Sequence, residues 1–248
     1  MGLQLSADVI EEIQSGIMAK ADTSRLITLF RKLQFATEEF ASTDYRKRCF
    51  RYISRISHDA MQHNPAGVRA IVNDPIFMEI QRERTEAFTV LTRISKILEQ
   101  GAANPYEKIL GLSFSYAHVV EGVFKKSVQD CYLIDEISLM KTISIEEVEH
   151  FGIGKIMKEY QKTRRELTIF EGWDDVVRNA VSHARMHYDG KLENMTFVDR
   201  TKQRIRSSTY SFEQLQEMYM KLFDVFSLVL IRNQIRRISD IIHAISQR

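Results

Sequence analysis

The chain has 248 residues, of which 44% are hydrophobic, 27% charged and 10% aromatic, with a formal net charge of +2. That apolar content supplies a core and excludes wholesale disorder, while near-neutrality excludes a globally basic nucleic-acid binder, so any basic surface is a local patch. Two cysteines, Cys49 and Cys131, exclude a disulfide framework or a zinc ribbon and read as small buried hydrophobes.

No apolar run approaches the ~18 residues of a membrane span, and the opening MGLQLSADVIEEIQ lacks a basic stretch followed by an apolar one. The expectation is a soluble, cytoplasmic protein with no membrane partner.

Helix dominates from the front. Apolar spacing predicts helices at 7–20, 24–41 and 43–62, a short one at 66–72 and a long one at 75–99. All three prolines, Pro65, Pro75 and Pro105, follow Asn or Asp, which is the cap-then-proline pattern of a helix start. In DYRKRCFRYISR (44–55) the aromatics read as core and the arginines as solvated surface, rather than as a nucleic-acid platform.

EQGAANP (99–105) marks a domain border, separating an N-terminal helical region, 1–102, from a second domain, 103–248. The second opens with a helix from Pro105 to about Ile134, apolar nearly all round and therefore central. Within it, Glu121 stands among Val119, Val120, Val123 and Phe124. A buried carboxylate needs a partner, for which Arg178 is the candidate; otherwise Glu121 lies on a wet strip near Lys125.

A short helix near 145–151 and another over 155–170 follow. GIG at 152–154 is too short for a phosphate loop. Next comes VVRNAVSHARMHYDG (176–190), read as one helix capped by Asp174 and stopped by Gly190.

It combines core residues with groups that suit RNA cleavage without metal. His moves protons near neutral pH. Arg carries a permanent charge in a planar fork that matches phosphate oxygens, and an amide positions a neighbour. On a regular helix Asn179 and His183 share a face, whereas Arg178 and His183 are ~140° apart. His183 and His187 have the spacing of a helical zinc pair, but no Glu follows the first His and neither Asp189 nor Glu193 is fixed as a third ligand, so no metal or other cofactor is expected.

In DRTKQRIRS (199–207), Arg200, Lys202, Arg204 and Arg206 alternate with other residues, suggesting an extended segment with one basic face. That face serves either to hold RNA phosphates or to protect a strand edge. The closing helix starts at Ser211, with Gln214 completing a capping box.

Arg178-Asn179-Ala180-Val181-Ser182-His183 resembles the signature of the HEPN superfamily (higher eukaryotes and prokaryotes nucleotide-binding domains), in an architectural context covering residues 105–248. The resemblance implies an all-α bundle, here with a short extended or β-hairpin insertion, and a homodimer in which two motifs face each other. Many members are metal-independent endoribonucleases of toxin–antitoxin or antiviral defence, with an antitoxin or defence-system partner protein. By position, His183 is the catalytic His, Arg178 its partner at the scissile phosphate and Asn179 the supporting polar group. Arg185, His187, Arg200, Lys202, Arg204 and Arg206 are then expected to hold RNA, with Glu121 and Tyr188 in support. The alternative is a non-catalytic helical module binding RNA or protein, in which the motif is structural.

Overall fold

The structure, a computed structural model, describes residues 28, 31, 42–101, 104–201 and 204–246. The helices expected at 7–20 and 24–41, the border at 102 and Lys202 lie outside the described residues.

The described chain is mostly helical. Its helices are α1 (Asp44–His63), α2 (Pro65–Val72), α3 (Pro75–Gly101), α4 (Pro105–Val119), α5 (Lys125–Ser138), α6 (Ile145–Glu149), α7 (Ile153–Lys162), α8 (Asp175–Ser182) and α9 (Phe212–Ser246). A π-helical segment, Val120–Phe124, joins α4 to α5, and a 3-10 turn covers Thr168–Phe170. Between α8 and α9 lies an antiparallel sheet, β1 (Met186–Asp189), β2 (Asn194–Arg200) and β3 (Ile205–Ser211), in the order β1-β2-β3. The all-α expectation is therefore refined to a predominantly helical fold carrying three strands.

The caps explain most helix starts. Asn64 accepts from the Gly67 amide at 2.9 Å, Asp74 from Ile76 at 2.8 Å and Asn104 from Glu107 at 2.9 Å. The proline in each case follows the cap, where its missing N–H costs nothing. Ser211 and Gln214 close the expected box, with contacts of 2.9 and 3.3 Å.

The ends are less conventional. α5, α7 and α8 stop at Met140, Arg164 and Ala184, each with φ between 51° and 60°. In each, the next amide reaches back to a carbonyl five residues earlier: Lys141 to Glu136, Arg165 to Tyr160 and Arg185 to Ala180. This is the Schellman geometry usually served by glycine. It ends the expected 155–170 helix at Lys162 and the motif helix at Ser182, well short of Gly190.

The chain forms two compact units. One gathers the described residues up to Val72 with Ile134–Thr142 and those from Asp224 onward. Inside it Cys49 is buried with Tyr52, Ile53 and Ile56, and Arg46 pairs with Asp224 at 2.9 Å. Burial raises the Asp224 carboxyl above its ordinary range, opposed by Arg46.

The other unit, Asn73–Leu133 with Ile143–Phe223, carries the motif. Its core includes Ile109, Tyr116, Val119, Val123, Phe124 and Val128 from the α4–π–α5 run. Phe114 on the same run is 45% exposed, so that helix is not apolar-buried all round. Tyr132, Tyr160 and Phe170 stack in turn, with centroids 6.0 and 5.5 Å apart. Arg84 is fully buried against Asp130 at 2.7 Å, and Gln81 donates to the same carboxylate at 2.9 Å, satisfying charges that unpaired would be costly.

Candidate functional site: a short motif helix backed by a sheet

Helix α8 is only eight residues long, too short to stand alone, so its placement comes from what grips it. Asp174 caps it by accepting from the Val176 amide at 2.7 Å. The buried Tyr116 of α4 holds that cap: its hydroxyl donates to the Gly172 carbonyl at 2.8 Å and accepts from the Asp174 amide at 2.7 Å. Tyr210 of β3 donates to the other side of Asp174 at 2.8 Å. Burial, and then the Asp174 carboxylate, push the Tyr210 phenol up to about 12, and Tyr116 is raised chiefly by burial. Both therefore serve as neutral donors.

Val176, Val177, Ala180 and Val181 are buried and anchor the inner face of α8. Arg178 points the other way. Its Nε lies 3.4 Å from a Glu121 carboxylate oxygen, with side chains 37% and 52% exposed. Glu121 thus sits neither buried alone nor free on a wet strip. It sits in the π-helical segment, where the wider turn changes the direction of the residues it contains; such segments recur at functional sites.

Asn179 turns toward the sheet and donates from Nδ2 to Asp199 of β2 at 3.2 Å. Asp199, 5% exposed, is also held by Arg206 of β3. Arg206 in turn makes a two-point contact with Asp175, at 2.9 and 2.7 Å. The hydrogen bond from Arg206, aided by that from Asn179, outweighs burial and keeps the Asp199 carboxyl below the usual range. The same two carboxylates raise the Arg206 guanidinium, so the cation is permanent.

His183 forms the C-cap of α8, and the turn at Ala184 then redirects the chain into β1. The His183 ring is exposed and makes no hydrogen bond among the described residues. It is therefore not packed behind Val177 and Val181.

The sheet register separates the residues expected to form one basic face. Arg200 pairs with Ile205 and Asp199 with Arg206 across the β2–β3 turn. Paired residues share a face, so Arg200 points outward while Arg206 points inward at Asp199 and Asp175. The single basic face expected for Arg200 and Arg206 is thus split between two faces, and Arg206 ties the motif helix to the sheet. Arg200 and Arg204 are exposed, and the exposed Arg185 donates to the Arg200 carbonyl at 2.9 Å. His187 is exposed on β1, on the face it shares with Thr196 and Thr209. Because α8 ends before it, His183 and His187 do not share a helix face. Among the described residues no three His, Cys, Asp or Glu side chains converge to hold a metal ion. Tyr188 packs on Tyr106 of α4 with ring centroids 5.2 Å apart.

Compared with protein-family models, curated proteins and solved structures, the chain finds no match. The geometry therefore carries the functional argument.

Sequence reasoning missed Asp175, Asp199, Tyr116 and Tyr210. Of these only Asp199 left a signal, as an acidic residue opening the basic run DRTKQRIR. The other three are assigned by long-range contacts alone.

Among the described residues no helix is long and apolar enough to cross a membrane.

Proposed function

We propose that the chain is a metal-independent endoribonuclease with a HEPN-like motif, in which His183 moves the proton of the attacking 2′-hydroxyl and Arg178 stabilises charge developing on the phosphate. The observation that carries this reading is the pairing of an oriented cation with an uncommitted imidazole on one short helix. Arg178 is held by Glu121 yet partly exposed, and His183 stands exposed at the C-cap. Preorganised charge aimed at the reacting group is worth more than the same charge on a free side chain.

Asn179 acts through position. Its amide is committed to Asp199, which fixes the rotation of α8 and thereby the directions of Arg178 and His183. Arg185, Arg200 and Arg204 offer exposed cations on the sheet side for the flanking phosphates. The wider reading is a homodimeric cytoplasmic effector of defence or toxin–antitoxin type, controlled by a partner protein.

The test incubates purified protein with total RNA in excess EDTA and maps the fragment ends. Fragments ending in 2′,3′-cyclic phosphate or 3′-phosphate are expected. Intact RNA under all conditions would leave the non-catalytic binding module as the better reading.

A further inference from the structure

The two edges of the sheet are not alike. β1 is four residues long, and Tyr188 within it packs on Tyr106 of α4. β3 is seven residues long, and its register with β2 runs unbroken from Asn194–Ser211 to Arg200–Ile205. Edge strands are commonly protected by a proline, a bulge or an outward charge. β3, IRSSTYS, has none of these, because its one charged residue, Arg206, points inward at Asp175 and Asp199.

The pairing parity fixes which backbone groups β3 leaves open. The Thr201 amide donates to the Arg204 carbonyl at 2.9 Å, and the Val198 amide to the Arg185 carbonyl, just before β1, at 3.0 Å. Odd-numbered residues of β2 therefore bond to β3, at Arg206, Ser208 and Tyr210. The N–H and C=O groups of Ile205, Ser207 and Thr209 point the other way, out of the sheet, and have no partner among the described residues. All three residues are exposed, Ile205 by 61%. The row stops at Ser211, whose amide donates to Gln214 at 2.9 Å.

Such an edge accepts another extended strand, and this one is complementary to itself. In antiparallel pairing about Ser207, Ser207 faces the partner's Ser207, and Ile205 faces the partner's Thr209. Each facing pair exchanges two backbone bonds, so every open group in the row is used. The exposed Ile205 gains a branched neighbour. On the inner face Arg206 meets the partner's Ser208, so no like charges stand directly opposite. A register centred on Arg206 would set two guanidinium groups against each other and leave Thr209 beyond the end of the strand. One centred on Ser208 would put Ile205 against the occupied Ser211 amide.

We propose that β3 pairs with β3 of a second copy of this chain, antiparallel about Ser207, joining the two three-stranded sheets into one. The two-fold axis is then perpendicular to the sheet, so both α8 helices lie against the same face. The pairing rests on the sheet alone; that the joined copies work as one ribonuclease rests on the endoribonuclease reading. A seven-residue seam is small for an interface, so the dimer exchanges with monomer at micromolar concentration.

The test is sedimentation velocity over a concentration series reaching the high micromolar range, for wild type and Ser207→Pro. The Ser207 amide bonds to nothing within the chain, so proline leaves the β2–β3 ladder whole and removes a donor from the seam alone. Wild type is expected to pass from monomer to dimer, and Ser207→Pro to need about 10-fold or more protein to do so. A wild type that stays monomeric, or dimerises no better than Ser207→Pro, would overturn the proposal. A cross-link decides the case if proline unsettles the strand. Under copper–phenanthroline oxidation Ser207→Cys is expected to give a disulfide-linked dimer, because the same residue stands opposite in the partner. Ile205→Cys, facing Thr209, is not. Cys49 and Cys131 are buried and do not compete. No cross-link at Ser207→Cys, or equal cross-linking of both variants, would overturn the proposal. RNA cleavage in EDTA is read on the same samples. Cleavage by a wild type lacking this dimer would overturn the pairing alone, whereas this dimer without cleavage would support the pairing and overturn the endoribonuclease reading.

Discussion

Asp199 accepts a hydrogen bond from Asn179 at 3.2 Å while Arg206 holds the same carboxylate, so a residue of the motif is fixed by two strands that follow it in the chain. Through Arg206 the tie continues to Asp175 in the first turn of α8. The first turn of the short helix, through Asp175, and its middle, through Asn179 and Asp199, are thereby linked to one cation.

Arg206→Ala is expected to destabilise the fold by about 1–3 kcal/mol, since it strips charge-assisted bonds from a buried carboxylate. The pH dependence has a definite sign. Asp199 is held below the ordinary carboxylate range in the folded protein, so its contribution is present above about pH 4 and is lost as pH falls through the folded value. The gap in melting temperature between wild type and Arg206→Ala should be full at pH 7 and shrink below about pH 4. A gap that widens in acid would contradict the assigned roles.

Ala184→Gly is expected to stabilise the protein by about 1 kcal/mol. Ala184 has φ 51°, which costs an L side chain energy that glycine does not incur. A raised melting temperature with the same helical circular dichroism checks it.

Tyr116→Phe removes one hydroxyl and leaves two partners in want, the Gly172 carbonyl and the Asp174 amide. A loss of about 1–3 kcal/mol is expected in urea unfolding. Hydrogen exchange at the Asp174 amide should rise more than at amides in α7, because the damage is centred on the α8 cap.

Glu121→Gln separates stability from activity. Its ion pair with Arg178 is largely exposed, so the change in stability should stay under about 1 kcal/mol. Release of the guanidinium should lower kcat/KM for RNA cleavage about 10- to 100-fold. Loss of stability with unchanged cleavage would refute a positioning role.

The starts of elements were legible in the sequence because their chemistry is local. Asn64, Asp74, Asn104, Asp174 and Ser211 each cap with their own side chains, and each precedes its helix in the expected place. The ends were not, because Met140, Arg164 and Ala184 take a glycine's conformation without being glycine. The local backbone bonds of each helix end accompany that conformation. This hid β1, whose four residues are too few for alternation to stand out against helical spacing. The parity of the basic run was lost for a related reason. The β2–β3 turn lies between Arg200 and Arg206, so an even spacing in sequence places them on opposite faces.

At the site, the residue types of Arg178, Asn179 and His183 pointed to chemistry, but the partners that orient them lie 20 to 57 residues away. Only the pairing of Glu121 with Arg178 was offered from the sequence, as one of two alternatives beside a wet strip, and the side chain proves both paired and 52% exposed.

The most direct test of the central claim compares wild type and His183→Ala under single-turnover conditions on one RNA substrate in EDTA. The His183 ring is exposed and bonds to nothing in the described fold, so the variant should melt at the wild-type temperature. Its cleavage rate should fall by about 10²- to 10⁴-fold. Equal rates from two equally folded proteins would contradict the account, because any cleavage would then arise away from this motif.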